Sequence, residues 1–131
     1  MPVFVKKIYQ NIFNWSVAIG WLLMIFYLSS RPSFPVELTP STYNIISSLT
    51  HVLLYAILAW LLVRALRTSG CKLKRALIYA FLIAIVYGAG DEWHQSFAPG
   101  REMSLSDWLI DGLSALIVIY YYSWKNKFTL K

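Results

Sequence analysis

Acidic residues are scarce in this chain: six aspartates and glutamates stand among 131 residues, against twelve lysines and arginines, and charged side chains make up only 14%. Soluble domains carry about 25% charged residues. A chain this poor in charge, with 58% apolar side chains, lacks the polar surface that water requires and reads as an integral membrane protein. The single cysteine, Cys71, excludes an intrachain disulfide and any C-x-x-C metal site. No G-x-S-x-G, P-loop or H-E-x-x-H pattern occurs, which removes the serine hydrolases, the nucleotide-binding loops and the zincin proteases. Acid/base or metal chemistry is the enzymatic route left. The net charge of +6 would suggest nucleic acid in a soluble protein. Here the bases flank apolar runs, where they favour anionic headgroups, so the expected partner is the lipid bilayer and no nucleic acid.

What is present in abundance is apolar sequence. A helix crosses a hydrocarbon core of about 30 Å with about 20 residues, so a chain of this length holds roughly four spans with short loops. Four runs qualify: about 12–28, 45–66, 76–93 and 105–124. Lys6 and Lys7 before the first run resemble the start of a signal peptide, but the run is long and no small-residue cleavage pattern follows it, so it reads as a retained helix. The expected fold is all-α: a polytopic membrane protein of four helices in a small bundle, forming one membrane domain over residues 1–131. Trp93, Trp108, Tyr120, Tyr121, Tyr122 and Trp124 at the span ends suit interfacial belts.

Charge placement gives the sidedness. Lys6, Lys7, Arg64, Arg67, Lys72, Lys74, Arg75, Lys125, Lys127 and Lys131 fall at one set of span ends, and only Arg31 and Arg101 at the other. Positive charge marks the cytoplasmic side, so both termini are expected there, with loops 29–44 and 96–104 outside. All six acids (Glu37, Asp91, Glu92, Glu102, Asp107 and Asp111) then lie at or near the outer face. Both histidines join them, while the inner halves of the spans read as apolar.

Charged groups at a membrane boundary are costly unless they pair or serve a function. At about 100° per residue, Asp91, His94 and Gln95 share a helical face with Glu92 on its flank. Carboxylates at a helix C-terminus oppose its dipole, and Arg101, returned by the Pro99-Gly100 turn, is the expected partner. Ser104 and Asp107 read as a capping box at the start of the fourth span. Capping does not account for Asp111, one turn deeper in an apolar run. In the second span Ser47, His51 and Tyr55 form a polar stripe at i, i+4, i+8. His51 there is open to three roles: a hydrogen bond across helices, a general base or a metal ligand. His51, Asp91, Glu92, His94, Asp107 and Asp111 together hold enough donors for a divalent cation without dictating one.

With these residues in place, the chain resembles the VanZ-like family of small bacterial membrane proteins. The likeness rests on Thr50-His51 followed by Tyr55, on Asp91-Glu92-x-x-Gln95-Ser96-Phe97, on Pro99-Gly100-Arg101, and on Ser104-Leu105-Ser106-Asp107-x-x-x-Asp111. It covers about Ser29 to Tyr121. It departs from the family pattern at Ser47-Ser48, where an acidic-lysine pair is common, at Asp111, where asparagine is common, and at Ser114, where glycine is common. The resemblance implies the bacterial inner membrane, a cell-envelope context and a link to resistance against the glycopeptide teicoplanin.

Taken together, these readings lead to an outward-facing polar pocket acting on or binding an envelope molecule, lipid-linked or peptidoglycan-related. His51, Glu92 and Asp111 are the candidate catalytic groups of a hydrolase or transferase; Tyr55, Gln95, Arg101 and Asp107 are the candidate substrate contacts. The competing class is a non-catalytic accessory or binding protein, with room for a homo-oligomer. Transport is the third class and fits least, because it calls for polar residues through the full depth of the bilayer. The sidedness has a direct check: a compartment-sensitive reporter fused after Lys131 reads cytoplasmic, and an external signal inverts the topology.

Overall fold

A computed structural model describes residues 2–32 and 39–126. Glu37, counted above with the outer acids, and Lys127 and Lys131, counted with the inner bases, lie outside the described residues. The described residues form four helices and no strand: α1 (Val3–Ser29), α2 (Pro40–Thr68), α3 (Leu73–Gln95) and α4 (Leu105–Lys125).

Local chemistry sets the helix ends. Thr39 caps α2 by accepting the Thr42 N–H at 3.4 Å, and Pro40 occupies the first helical position, where its missing N–H costs nothing. At the other end of α2, Gly70 takes φ +87°. The Cys71 N–H reaches Leu66 O and the Gly70 N–H reaches Arg67 O, both at 3.1 Å, which is the pair of bonds of a Schellman motif. This sharp stop lets α3 begin three residues later. Between α3 and α4, Pro99 and Gly100 occupy the two central positions of a turn closed by Arg101 N–H to Ala98 O at 3.2 Å. Gly100 sits at φ +74°, a value that suits glycine at the third position of a type II turn.

Helices α1, α2 and α3 are each long and apolar enough to cross a membrane. Helix α4, which carries Asp107 and Asp111, is not among them. Each of α2 and α3 packs against all three other helices, whereas α1 and α4 do not touch. Where α2, α3 and α4 meet, the contact is built from Ala59, Ala80, Ala84 and Ala115, wedged among Leu58, Leu62 and Leu77. Small residues let backbones approach closely, which is how helices gain van der Waals contact in lipid, where no hydrophobic drive separates them from tails. The outward faces stay apolar: Leu53, Val86 and Ile117 are 62%, 71% and 68% exposed, a surface that fits a lipid bilayer.

Aromatic residues are less uniform than their sequence positions suggest. Trp93, Tyr120 and Trp124 do point outward. Trp108 does not: it is half-buried, and its indole N–H donates to Ile85 O of α3 at 3.1 Å. Trp21 and Tyr87 likewise donate to main-chain carbonyls of neighbouring helices, Leu54 at 2.9 Å and Leu22 at 2.5 Å.

The basic end of the molecule is also less apolar than the sequence reading holds. Asn14 is buried, donates to Thr68 Oγ1 and accepts from Arg64, both at 3.4 Å. Asn11 accepts from Ser69 at 2.9 Å, and Trp15 donates to Ser69 at 2.8 Å. These bonds clasp α1 to the end of α2. Asn11 and Asn14 lie three apart on one helical face, a spacing visible in the sequence but hidden by the surrounding apolar run.

Gly88 tests how tight the packing is. A Cβ there would meet Asp111 Oδ2 at 3.2 Å, and Trp108 and Tyr55 at 3.3 Å, while one at Gly90 meets nothing within 4 Å. Gly88→Leu is expected to cost about 1–3 kcal/mol through overpacking. Gly90→Leu is expected to be neutral or stabilising by up to about 1 kcal/mol, since glycine is a poor helix former. Thermal unfolding in detergent compares the two.

Candidate functional site

The site grows from one contact. His51, about three turns inside α2, places Nδ1 2.9 Å from Oδ1 of Asp111 on α4, and both side chains are buried. With Asp111 ionised its carboxylate accepts, and Nδ1 then carries the proton. With the imidazole neutral, its Nε2 lone pair is then left facing outward from the pair. Nε2 lies 4.0 Å from Oε1 of Glu92 on α3, so three helices meet at this imidazole. Tyr55 lies one turn deeper with its ring parallel to His51 at 6.3 Å between centroids, fully buried and with its hydroxyl unpartnered among the described residues.

Glu92 does not pair with Arg101, the partner its position at a helix C-terminus suggests. Its Oε2 accepts the backbone N–H of Ser104 at 2.8 Å. Ser104 in turn caps α4, its Oγ accepting the Asp107 N–H at 3.2 Å. The capping box is therefore only half intramolecular to α4. The N–H that Asp107 would take in the reciprocal bond is held by a carboxylate from α3, and the Asp107 side chain is released toward the site. Oε1 of Glu92 is buried without a hydrogen-bond partner among the described residues.

Arg101 is reached indirectly. Gln95 donates to Asp91 Oδ2 at 3.0 Å and accepts from Arg101 Nη1 at 3.2 Å, so the amide stands between guanidinium and carboxylate. Among the described residues no carboxylate lies within salt-bridge distance of Arg101. The i, i+4 spacing of Asp91 and Gln95 permits their bond within one turn, and it leaves the guanidinium charge available.

His94 departs from the cluster. It turns to α1, with Nε2 2.9 Å from Ser30 Oγ and its ring stacked on Phe26 at 4.3 Å. Asp91 and Gln95 share the buried face of this turn as the 100° rule assigns, but Glu92 joins them there and His94 takes the flank, the two exchanging places.

Two cavities flank these groups. One of about 520 Å³ has Ile25, Leu28 and Leu54 on its apolar side and His51, Asp91 and Arg101 on its polar side. The other, about 420 Å³, is bounded by Ser104, Asp107 and Glu102. Tyr43, Ser47, Gln95 and Arg101 border both. Tyr43 is missed by the sequence reading, although it extends the α2 stripe by one turn: Tyr43, Ser47, His51 and Tyr55 run at a spacing of four.

A family model described as VanZ/LLP1 matches residues 9–126. The chain belongs to the VanZ/LLP1 family. No curated protein and no solved structure matches it. The matched range takes in most of each helix, so every polar group described above in this VanZ/LLP1 chain lies within the shared region. Its blocks at Thr50-His51, Asp91-Glu92 and Ser104 to Asp111, distant in sequence, supply the three helices that converge on His51.

The coupling of His51 and Asp111 is measurable. Asp111→Ala strands a buried imidazole N–H, at a cost of about 1–3 kcal/mol. A double-mutant cycle with His51→Leu is expected to return an interaction energy of about 0.5–3 kcal/mol in thermal or denaturant unfolding. Additive effects would mean the two side chains do not interact.

Proposed function

We propose that this VanZ/LLP1 protein is a single four-span domain of the bacterial inner membrane, a small bundle with both termini cytoplasmic. Its outward-facing cavities bind the anionic headgroup of a lipid-anchored envelope molecule. The observation that carries this reading is the larger cavity: an apolar wall of Ile25, Leu28 and Leu54 faces a polar wall on which Arg101 has no carboxylate partner among the described residues. Such a lining suits an amphiphile, with the chain against the aliphatic side and a phosphate or carboxylate at the guanidinium, which pairs with either in a two-pronged geometry. Gln95 holds Arg101 in place, and Tyr43 and Ser47 supply hydroxyls along the same face. His51, oriented by Asp111, and Glu92 are the groups placed to take or give a proton at a bound headgroup. Tyr55 supports the imidazole from beneath.

A second reading, a non-catalytic accessory protein, draws support from the interhelical role of the same acids. Glu92 bonds to Ser104 and Asp111 bonds to His51, so both carboxylates tie helices together. Glu92→Gln and Asp111→Asn separate the two: loss of a glycopeptide-susceptibility phenotype with folding and ligand binding retained supports catalysis, whereas unfolding supports the accessory reading.

Binding itself is tested with purified protein in detergent. A long-chain alkyl phosphate is expected to bind more tightly than the alcohol of equal chain length, and Arg101→Gln is expected to reduce the phosphate affinity by about tenfold or more, that is about 1.4 kcal/mol. Equal affinities for phosphate and alcohol would remove the anionic headgroup from the proposal.

A further inference from the structure

The acid-rich end of the molecule is short of positive charge. Asp91, Glu92 and Asp111 are buried there, 6%, 2% and 1% exposed, and Asp107 is half-buried beside them. Against these four carboxylates stand Arg101, which meets an amide instead of an acid, Arg31, which lies over the Tyr27 ring, and the imidazoles of His51 and His94. Buried carboxylates are retained where they are paired or coordinate a metal.

One donor atom from each of His51, Glu92 and Asp107 lies within 4.8 Å of the others. Two features mark this as more than a cluster of acids. Glu92 is 2% exposed, and its Oε1, 4.0 Å from His51 Nε2, has no hydrogen-bond partner among the described residues. With the imidazole neutral and its proton on Nδ1, Nε2 and this oxygen are two acceptors 4.0 Å apart, and a cation between them satisfies both. The remaining atoms of the same groups are already engaged in the way metal sites use: Asp111 holds His51 Nδ1, the carboxylate–histidine arrangement that fixes a ligand's tautomer, and Ser104 holds Glu92 Oε2.

We propose that His51 Nε2, Glu92 Oε1 and the Asp107 carboxylate bind a divalent transition-metal cation, with Asp111 orienting the imidazole. One nitrogen and two carboxylate oxygens suit Zn²⁺ or Mn²⁺. Donors at about 2.1 Å from one ion lie about 3–3.5 Å apart. The 4.0 Å gap between His51 and Glu92 is somewhat wider, so a cation draws the side chains together without displacing them. His51 borders the larger cavity and Asp107 the smaller, so the ion sits in the wall between them, with coordination positions left open toward ligand. His94, bonded to Ser30 and stacked on Phe26, is not a ligand. The site does not depend on the headgroup proposed above; with an ion bound, His51 Nε2 and Glu92 Oε1 serve as ligands and not as the proton-transfer groups named there.

The test uses the full chain in detergent, stripped with a chelator. Zn²⁺ is titrated against a chromophoric competitor, and Mn²⁺ is followed by loss of the free-ion electron paramagnetic resonance signal. Saturable uptake of one equivalent per chain is expected. Asp107→Asn and Glu92→Gln are each expected to weaken it by about tenfold or more, Asp111→Asn by about 10–100-fold, and His94→Ala not at all. Asp107→Asn is the decisive variant, because the hydrogen bonds of Asp107 to the described residues run through its backbone and not its carboxylate. No saturable uptake, Asp107→Asn binding as tightly as the wild type, or loss of binding in His94→Ala would each overturn the site.

Discussion

The hydrogen bond between His51 and Asp111 is the constraint on which the polar end of this protein depends. It links α2 to α4 across a buried interface, where an unpaired imidazole N–H or carboxylate carries a full desolvation penalty. That penalty fixes register: sliding α4 along α2 by one residue strands both partners. It also explains the packing around it. Gly88 on α3 has no side chain where Asp111 needs room, and Tyr55 and Trp108 close the remaining space. The neighbouring Ala-rich seam continues the close approach down the three helices. A polar contact and an apolar seam thus define the same interface, the first setting its alignment and the second most of its area.

Polar groups elsewhere repeat this division of labour on a smaller scale. At the basic end, Asn11, Asn14, Thr68 and Ser69 clasp α1 to α2 with uncharged donors and acceptors, which carry a smaller burial cost than acids, and Arg64 adds one charged donor to Asn14. At the acidic end the same kind of joining is done by carboxylates. The asymmetry separates a clasp, whose groups are saturated by one another, from a site, whose groups leave atoms over: Oε1 of Glu92 and Nε of Arg101 are buried with no partner among the described residues.

Much of this was legible in the sequence, for reasons that are specific. Four helices follow from four apolar runs, and the start of the fourth from the Ser104 cap, whereas Thr39-Pro40, where α2 begins, falls in the stretch read as the 29–44 loop. His51 and Asp111 stand out because each is a costly group in an apolar run. The partnerships were not legible. Arg101 was matched to a carboxylate by charge alone, and the structure interposes Gln95, whose amide can serve an acid and a base at once. Glu92 was placed against the helix dipole, yet its partner is a backbone N–H, and every residue but proline has one, so side-chain identity gives no hint of it. Trp108 was assigned to an interfacial belt by its place at a span end. Its true direction depends on which face of α4 meets α3, and that is a property of the pair of helices.

The bond from Glu92 to the Ser104 N–H also bears on biogenesis. The first turn of α4 is completed by a group that belongs to α3, and Asp107 and Asp111 both fall within the first two turns of α4. Asp111 finds its partner, His51, on an element synthesised before it. The last helix is therefore completed against a wall supplied by α2 and α3, where Asp111 and the Ser104 N–H exchange water for protein contacts.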